Sequence, residues 1–95
     1  MIFVIARVTV KPGMEQRYEA LCARLMPMVR EAEPGVVFYH AGKSRDEERT
    51  YRVVEAYRDQ AAMDEHIASR FVQDPREELA ACIESIDIRL HDAIA

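Results

Sequence analysis

The chain of 95 residues is 49% hydrophobic and 32% charged, which suits one domain over residues 1–95 with a single core and excludes a disordered polymer. A net charge of −4, with Lys and Arg scattered along the chain, leaves no footprint for nucleic acid, and no apolar run approaches a membrane span. The opening M-I-F-V-I-A-R lacks the charged start of a secretory leader, so a cytoplasmic location is expected.

Ile2, Val4, Ala6, Val8 and Val10 alternate with Phe3, Ile5, Arg7 and Thr9, the period of a strand, here with apolar residues on both faces. Pro12-Gly13 ends it. Met14, Tyr18, Leu21, Cys22, Leu25, Met28, Val29 and Ala32 then recur at helical spacing. Pro27 lies inside that helix, where it removes one backbone bond at a cost of roughly 3 kcal/mol, so a kink or break is expected.

Glu33-Pro34-Gly35 reads as a turn into the strand V-V-F-Y-H-A, in which Tyr39 shares a face with Val37 and Ala41. Gly42 to Arg49 is polar enough for a solvated hairpin loop, and Thr50 to Tyr57 returns as the third strand. Asp59 is suited to cap a second helix whose apolar stripe is Ala62, Met63, His66 and Ile67. Ser69 to Val72 fits no single element. Asp74-Pro75-Arg76-Glu77 has the form of a helix start, with Asp as N-cap and Pro in the first position. Leu79, Cys82 and Ile83 form that helix's stripe, and Ile86, Ile88 and Leu90 alternate with Asp87, Arg89 and His91 in a last strand.

Strand, helix, strand, strand, helix, strand is the order of an α+β, ferredoxin-like split β-α-β fold with an antiparallel sheet and helices on one face. The opposite face is expected to carry Phe3, Ile5, Val36, Phe38 and Val54, with Arg7, His40 and Arg52 among them. It is too apolar for water, so a homodimer or higher assembly with sheets packed together is expected.

The third strand hands Glu55 and Tyr57, and the second helix His66, toward one interior, which Tyr39 also faces. An acid, phenols and an imidazole together are the material of proton transfer. Each has a plainer use: His66 as a core residue, Glu55 as a brace for nearby backbone, Tyr39 and Tyr57 as packing. If functional, His66 is the base, with a pKa class suited to neutral pH, and Glu55 orients it or a substrate hydroxyl. Tyr39, Tyr57 and Met63 then hold a planar small molecule.

Cys22 and Cys82 sit on helix stripes as small hydrophobes, with no zinc-ligand spacing, and three scattered histidines offer no metal site. No G-x-G-x-x-G, P-loop or G-x-S-x-G occurs, so no cofactor is expected.

The ordered set V-K-P-G (10–13), E-P-G (33–35), E-x-Y (55–57), D-x-x-A-x-x-x-H (59–66) and Ser69 resembles the antibiotic biosynthesis monooxygenase domain family over Ile2 to Val72. The resemblance implies a dimeric α/β barrel and a cavity between sheet and helices. In several members it implies oxidation of phenols or quinols by dioxygen without metal or flavin. Relatives that isomerise small metabolites, degrade haem or have no known reaction share the fold. Tyr57 stands where relatives often carry Trp, which weakens stacking on a large aromatic. The haem-degrading branch carries Asn on the first strand where this chain has Ala6, and an axial His where it reads Q-D-P-R, so haem is not expected. The expected activity is cofactor-independent oxygenation of a small phenol, quinol or similar planar metabolite. The alternatives are isomerisation by the same acid and base, or a non-catalytic ligand-binding or stress protein.

Overall fold

The computed structural model describes residues 1–95. Strand β1 (Ile2–Val10) turns its even residues inward, and Val4, Ala6, Val8 and Val10 are all buried. Helix α1 (Glu15–Ala32) lies over them, followed by β2 (Val36–Lys43) and β3 (Thr50–Tyr57). Helices α2 (Gln60–Ala68), α3 (Arg70–Gln73) and α4 (Arg76–Cys82) lead to β4 (Ile83–Asp92). The sheet is antiparallel throughout, in the order β2-β3-β1-β4, the ferredoxin-like α+β arrangement expected from the order of elements. No helix is long and apolar enough to cross a membrane.

The inward sides of β1 and β3 meet α1 and α4 in one core of Ala6, Val8, Val10, Tyr18, Leu21, Met26, Tyr51, Val53 and Cys82. A second, smaller cluster of Val4, Tyr57, Ala62 and Met63 ties α2 to the far end of the same strands. Burying a side chain such as Val8 or Val29 contributes about 1.5–3 kcal/mol, so these two stripes set the sandwich. Cys22 and Cys82 are free thiols, Cys82 fully buried, as their place on the helix stripes predicts.

Six local expectations need correction. Of the kink or break expected at Pro27, the break does not occur: helix α1 runs through it, because the covered stripe on either side holds it. Pro27 still has no N–H to offer the Ala23 carbonyl. The stripe is Tyr18, Leu21, Met26 and Val29; Met28 lies roughly 100° round the helix from Val29 and is 43% exposed. On α2, Ile67 is likewise turned outward.

In β2, Val36 pairs with Tyr57 but Phe38 pairs with Ala56, so Val37 is an extra residue in a β-bulge. The bulge exchanges the two valines. Val36 packs inward on the second cluster, and Val37, expected beside Tyr39, is exposed. The segment 69–72 resolves into the single turn of α3, whose end is Asp74; Pro75 occupies the cap position of α4 with no side-chain cap. Asp74 therefore does not cap, because the two helices follow with no extended residue between them for a cap to occupy. Finally, Ile83 belongs to β4, paired with Val10, rather than to the helix before it.

Candidate active site

Local geometry at two turns assembles the site. Helix α1 ends at Glu33, whose extended backbone closes on Val29, and Pro34 prevents further helix. Gly35 follows, buried against α2: a Cβ built on it would stand 2.5 Å from the Cβ of Ala62. The absent side chain lets the start of β2 press onto α2. Asp59 Oδ1 accepts the Ala62 N–H at 2.9 Å and fixes where α2 begins. His66, one turn beyond Ala62, then falls beside Glu33.

Its Nδ1 lies 3.0 Å and 3.2 Å from the two oxygens of Glu33. A carboxylate only accepts, so Nδ1 is the donor in this contact, and Nε2 points to the other side. On that side is Glu55, with Oε1 3.8 Å from Nε2. The hydroxyl of Tyr57 donates to the same Glu55 oxygen. The Tyr39 ring meets the imidazole edge-on at 5.1 Å between centroids, and the Tyr57 ring lies at 5.4 Å. Four of the five residues singled out in the sequence, Tyr39, Glu55, Tyr57 and His66, thus form one cluster. Met63 packs with Val4, Tyr57 and Ala62 behind it.

A cavity of about 190 Å³ opens between the sheet and the helices. Its walls are apolar side chains from β1, α1, β3, α3, α4 and β4, together with Tyr18, Tyr39 and Glu55; Glu55 is the one charged group among them. His66, Tyr57 and Met63 are not on this wall. Glu55 stands between the cavity and the imidazole.

Burial pushes the Glu55 carboxyl above the ordinary carboxylate range, against the opposing pulls of the Tyr57 hydrogen bond and of His66. Burial, with Glu55 nearby, raises the Tyr39 and Tyr57 phenols, and for Tyr57 the hydrogen bond to Glu55 adds to the shift. Both phenols stay neutral donors. A buried carboxylate with a raised pKa is a stronger base than an exposed one and is suited to accept a proton from a bound ligand.

Glu33 is the site residue that sequence reasoning passed over, as part of a turn. A signal was available: an acid at a helix C-terminus faces the negative end of the dipole, so its presence asks for a compensating partner. No three His, Cys, Asp or Glu side chains converge as a metal-binding group.

The family model for antibiotic biosynthesis monooxygenases matches residues 1–78. Among solved structures, a candidate antibiotic biosynthesis monooxygenase of Caulobacter crescentus CB15 is 25% identical with a TM-score of 0.94, over 99% of this chain and 90% of that one. Protein SO0527 of Shewanella oneidensis is 32% identical with a TM-score of 0.88, over 95% of this chain and 87% of its own. A conserved protein of Methanosarcina mazei Go1, 24% identical with a TM-score of 0.87, covers 95% of this chain and 89% of its own, and shows the shared fold. No curated protein matches the chain. With four-fifths of its length under the family model and the fold to match, the chain belongs to the antibiotic biosynthesis monooxygenase family.

Proposed function

We propose that the chain is a cofactor-independent monooxygenase that oxidises a small planar phenol or quinol with dioxygen. The observation that carries this reading is the single carboxylate, Glu55, in the wall of an otherwise apolar cavity. Such a space favours a one- or two-ring ligand with a hydroxyl to place against Glu55. Glu55 accepts the hydroxyl proton, the neutral Tyr39 hydroxyl donates to the ring's other oxygen, and the electron-rich anion meets dioxygen away from water.

For a quinol the balance is quinol plus O2 to hydroxyquinone plus water. One oxygen atom enters the ring and the other leaves as water. The substrate supplies all four electrons, so no separate reductant is consumed.

The outer face of the sheet supports assembly as a homodimer. Ile5, Phe38 and Val54 are exposed there, 47% in the case of Phe38. On the same face Arg52 Nη1 is buried without a partner. An apolar patch beside an unsatisfied donor favours a covering surface, and a second copy supplies one with matching acids such as Asp87.

The test is oxygen uptake with 1,4-dihydroxynaphthalene, corrected for its spontaneous oxidation, with ¹⁸O₂ as label. One labelled atom in the hydroxyquinone per O2 consumed is the expected result. Binding of the quinol without uptake would transfer the reading to a ligand-binding protein. Proton exchange at carbon without uptake would favour an isomerase.

A further inference from the structure

Glu55 and Glu33 lie on opposite sides of one imidazole. Glu55 lines the interior cavity, whereas Glu33 lines a surface cleft between the end of α1 and α2, together with Glu65 and Ser69. His66 lies on neither wall; its side chain is 5% exposed, against 15% for Glu33 and 14% for Glu55. We infer that Glu55, His66 and Glu33 form a proton conduit joining the cavity to solvent, through which a proton taken from a bound ligand reaches the surface and returns. The inference deepens the proposed oxygenase and rests on that reading for its chemical use.

A carboxylate that accepts a proton inside an apolar wall needs somewhere to pass it. The neighbouring phenols cannot take it: the Tyr57 hydroxyl already donates to Glu55, and Tyr39 is held neutral by burial. The imidazole can. Its Nε2 is 3.8 Å from Glu55 Oε1, and a closure of about 1 Å brings the two into proton-transfer reach. On the far side Nδ1 is already 3.0 Å from Glu33. Ser69, whose Oγ is buried with no protein partner, borders the same cleft, and Glu33 is the carboxylate through which that cleft meets the imidazole.

Each hop moves one proton between heavy atoms. Glu55 gives its proton to Nε2, and the imidazolium gives the Nδ1 proton to Glu33, which releases it to solvent. Oxygenation of a quinol releases no net proton. The proton therefore returns by the same groups when the reduced oxygen leaves as water, and the return restores the starting tautomer. In this arrangement Glu55 is the group that meets the ligand, and His66 and Glu33 act through it.

The test is the exchange rate of the His66 Nδ1–H with water, read by NMR on ¹⁵N-labelled protein. If Glu33 is the exit, Glu33→Gln slows this exchange tenfold or more while backbone amide exchange in α2 is unchanged. If Glu33 is only a brace, its loss frees the ring and exchange is equal or faster, which overturns the conduit. Should E33Q fail to fold, Glu33→Asp, which draws the carboxylate back, must slow the exchange in the same sense, and an equal or faster rate again overturns it. The measurement needs no substrate. A silent oxygen electrode therefore counts against the oxygenase alone, and the conduit stands or falls on its own signal.

Discussion

Gly35 and Ala62 sit so close that a methyl group on the glycine would overlap the alanine side chain, at 2.5 Å between the two Cβ positions. This contact seats the start of β2 on α2 and so carries Glu33 to His66. Gly35→Ala should destabilise the fold by about 1–3 kcal/mol through overpacking. Its effect should shrink in the double variant with Ala62→Gly, which makes room at the same point. Urea melts of the four proteins in the cycle give the coupling. Additive effects would mean that the two residues do not press on one another.

Glu55→Gln keeps the shape of the wall and removes the base. Turnover of a confirmed quinol should fall by ~10²–10⁴-fold, the usual worth of a general base. Stability should respond in the opposite direction. The Glu55 carboxyl is raised above its unfolded value by burial, so its protonated form is favoured in the folded chain. Its stabilising contribution is complete below the ordinary carboxylate range and is lost as pH rises through the higher folded value. The glutamine variant therefore gains on the parent as pH rises from the ordinary carboxylate range through the folded Glu55 value. Melting curves across that span check this; a gap between the two proteins that stays constant with pH would refute it.

The main course of the fold was legible because its signals are local. Alternation in 2–10 and 50–57 gave the paired central strands, and Asp59 gave the start of α2. What escaped depends on pairing across space. The bulge at Val37 is invisible in V-V-F-Y, since two adjacent valines fit either phase of a strand, and only the register against Tyr57 and Ala56 decides which faces inward. Glu33 and His66 are 33 positions apart, and no spacing rule joins them. The Glu55–Tyr57 pairing was within reach, because residues two apart on a strand share a face. The cavity wall was not, because Phe71, Ile86 and Ile88 reach it from elements read separately.

The outer sheet face gives an expectation about assembly. The protein should sediment as at least a dimer at micromolar concentration, and Phe38→Glu with Val54→Glu should yield a folded monomer. A charge at each exposed position costs little in the monomer but is repelled and desolvated in an interface between two copies. Sedimentation velocity, with circular dichroism to show that the fold persists, is the measurement. A parent protein that runs as a stable 10.9 kDa monomer removes the idea.

Tyr57→Phe isolates the hydrogen bond to Glu55 while keeping the ring. The Tyr57 hydroxyl lowers the Glu55 pKa against the dominant effect of burial, so removing it leaves burial less opposed. The carboxyl should then hold its proton to still higher pH. The acid limb of the pH–rate profile, which follows ionisation of Glu55, should move upward, with a lower rate at neutral pH and the same plateau in base. Stability should change by about 1 kcal/mol, the loss of one hydrogen bond in a ring that remains buried. The pH profile separates this from a packing effect. Loss of ring packing lowers the rate equally at all pH values, whereas loss of the donor shifts the limb. A limb that stays in place or moves toward acid would show that Glu55 is not the group whose ionisation governs the reaction.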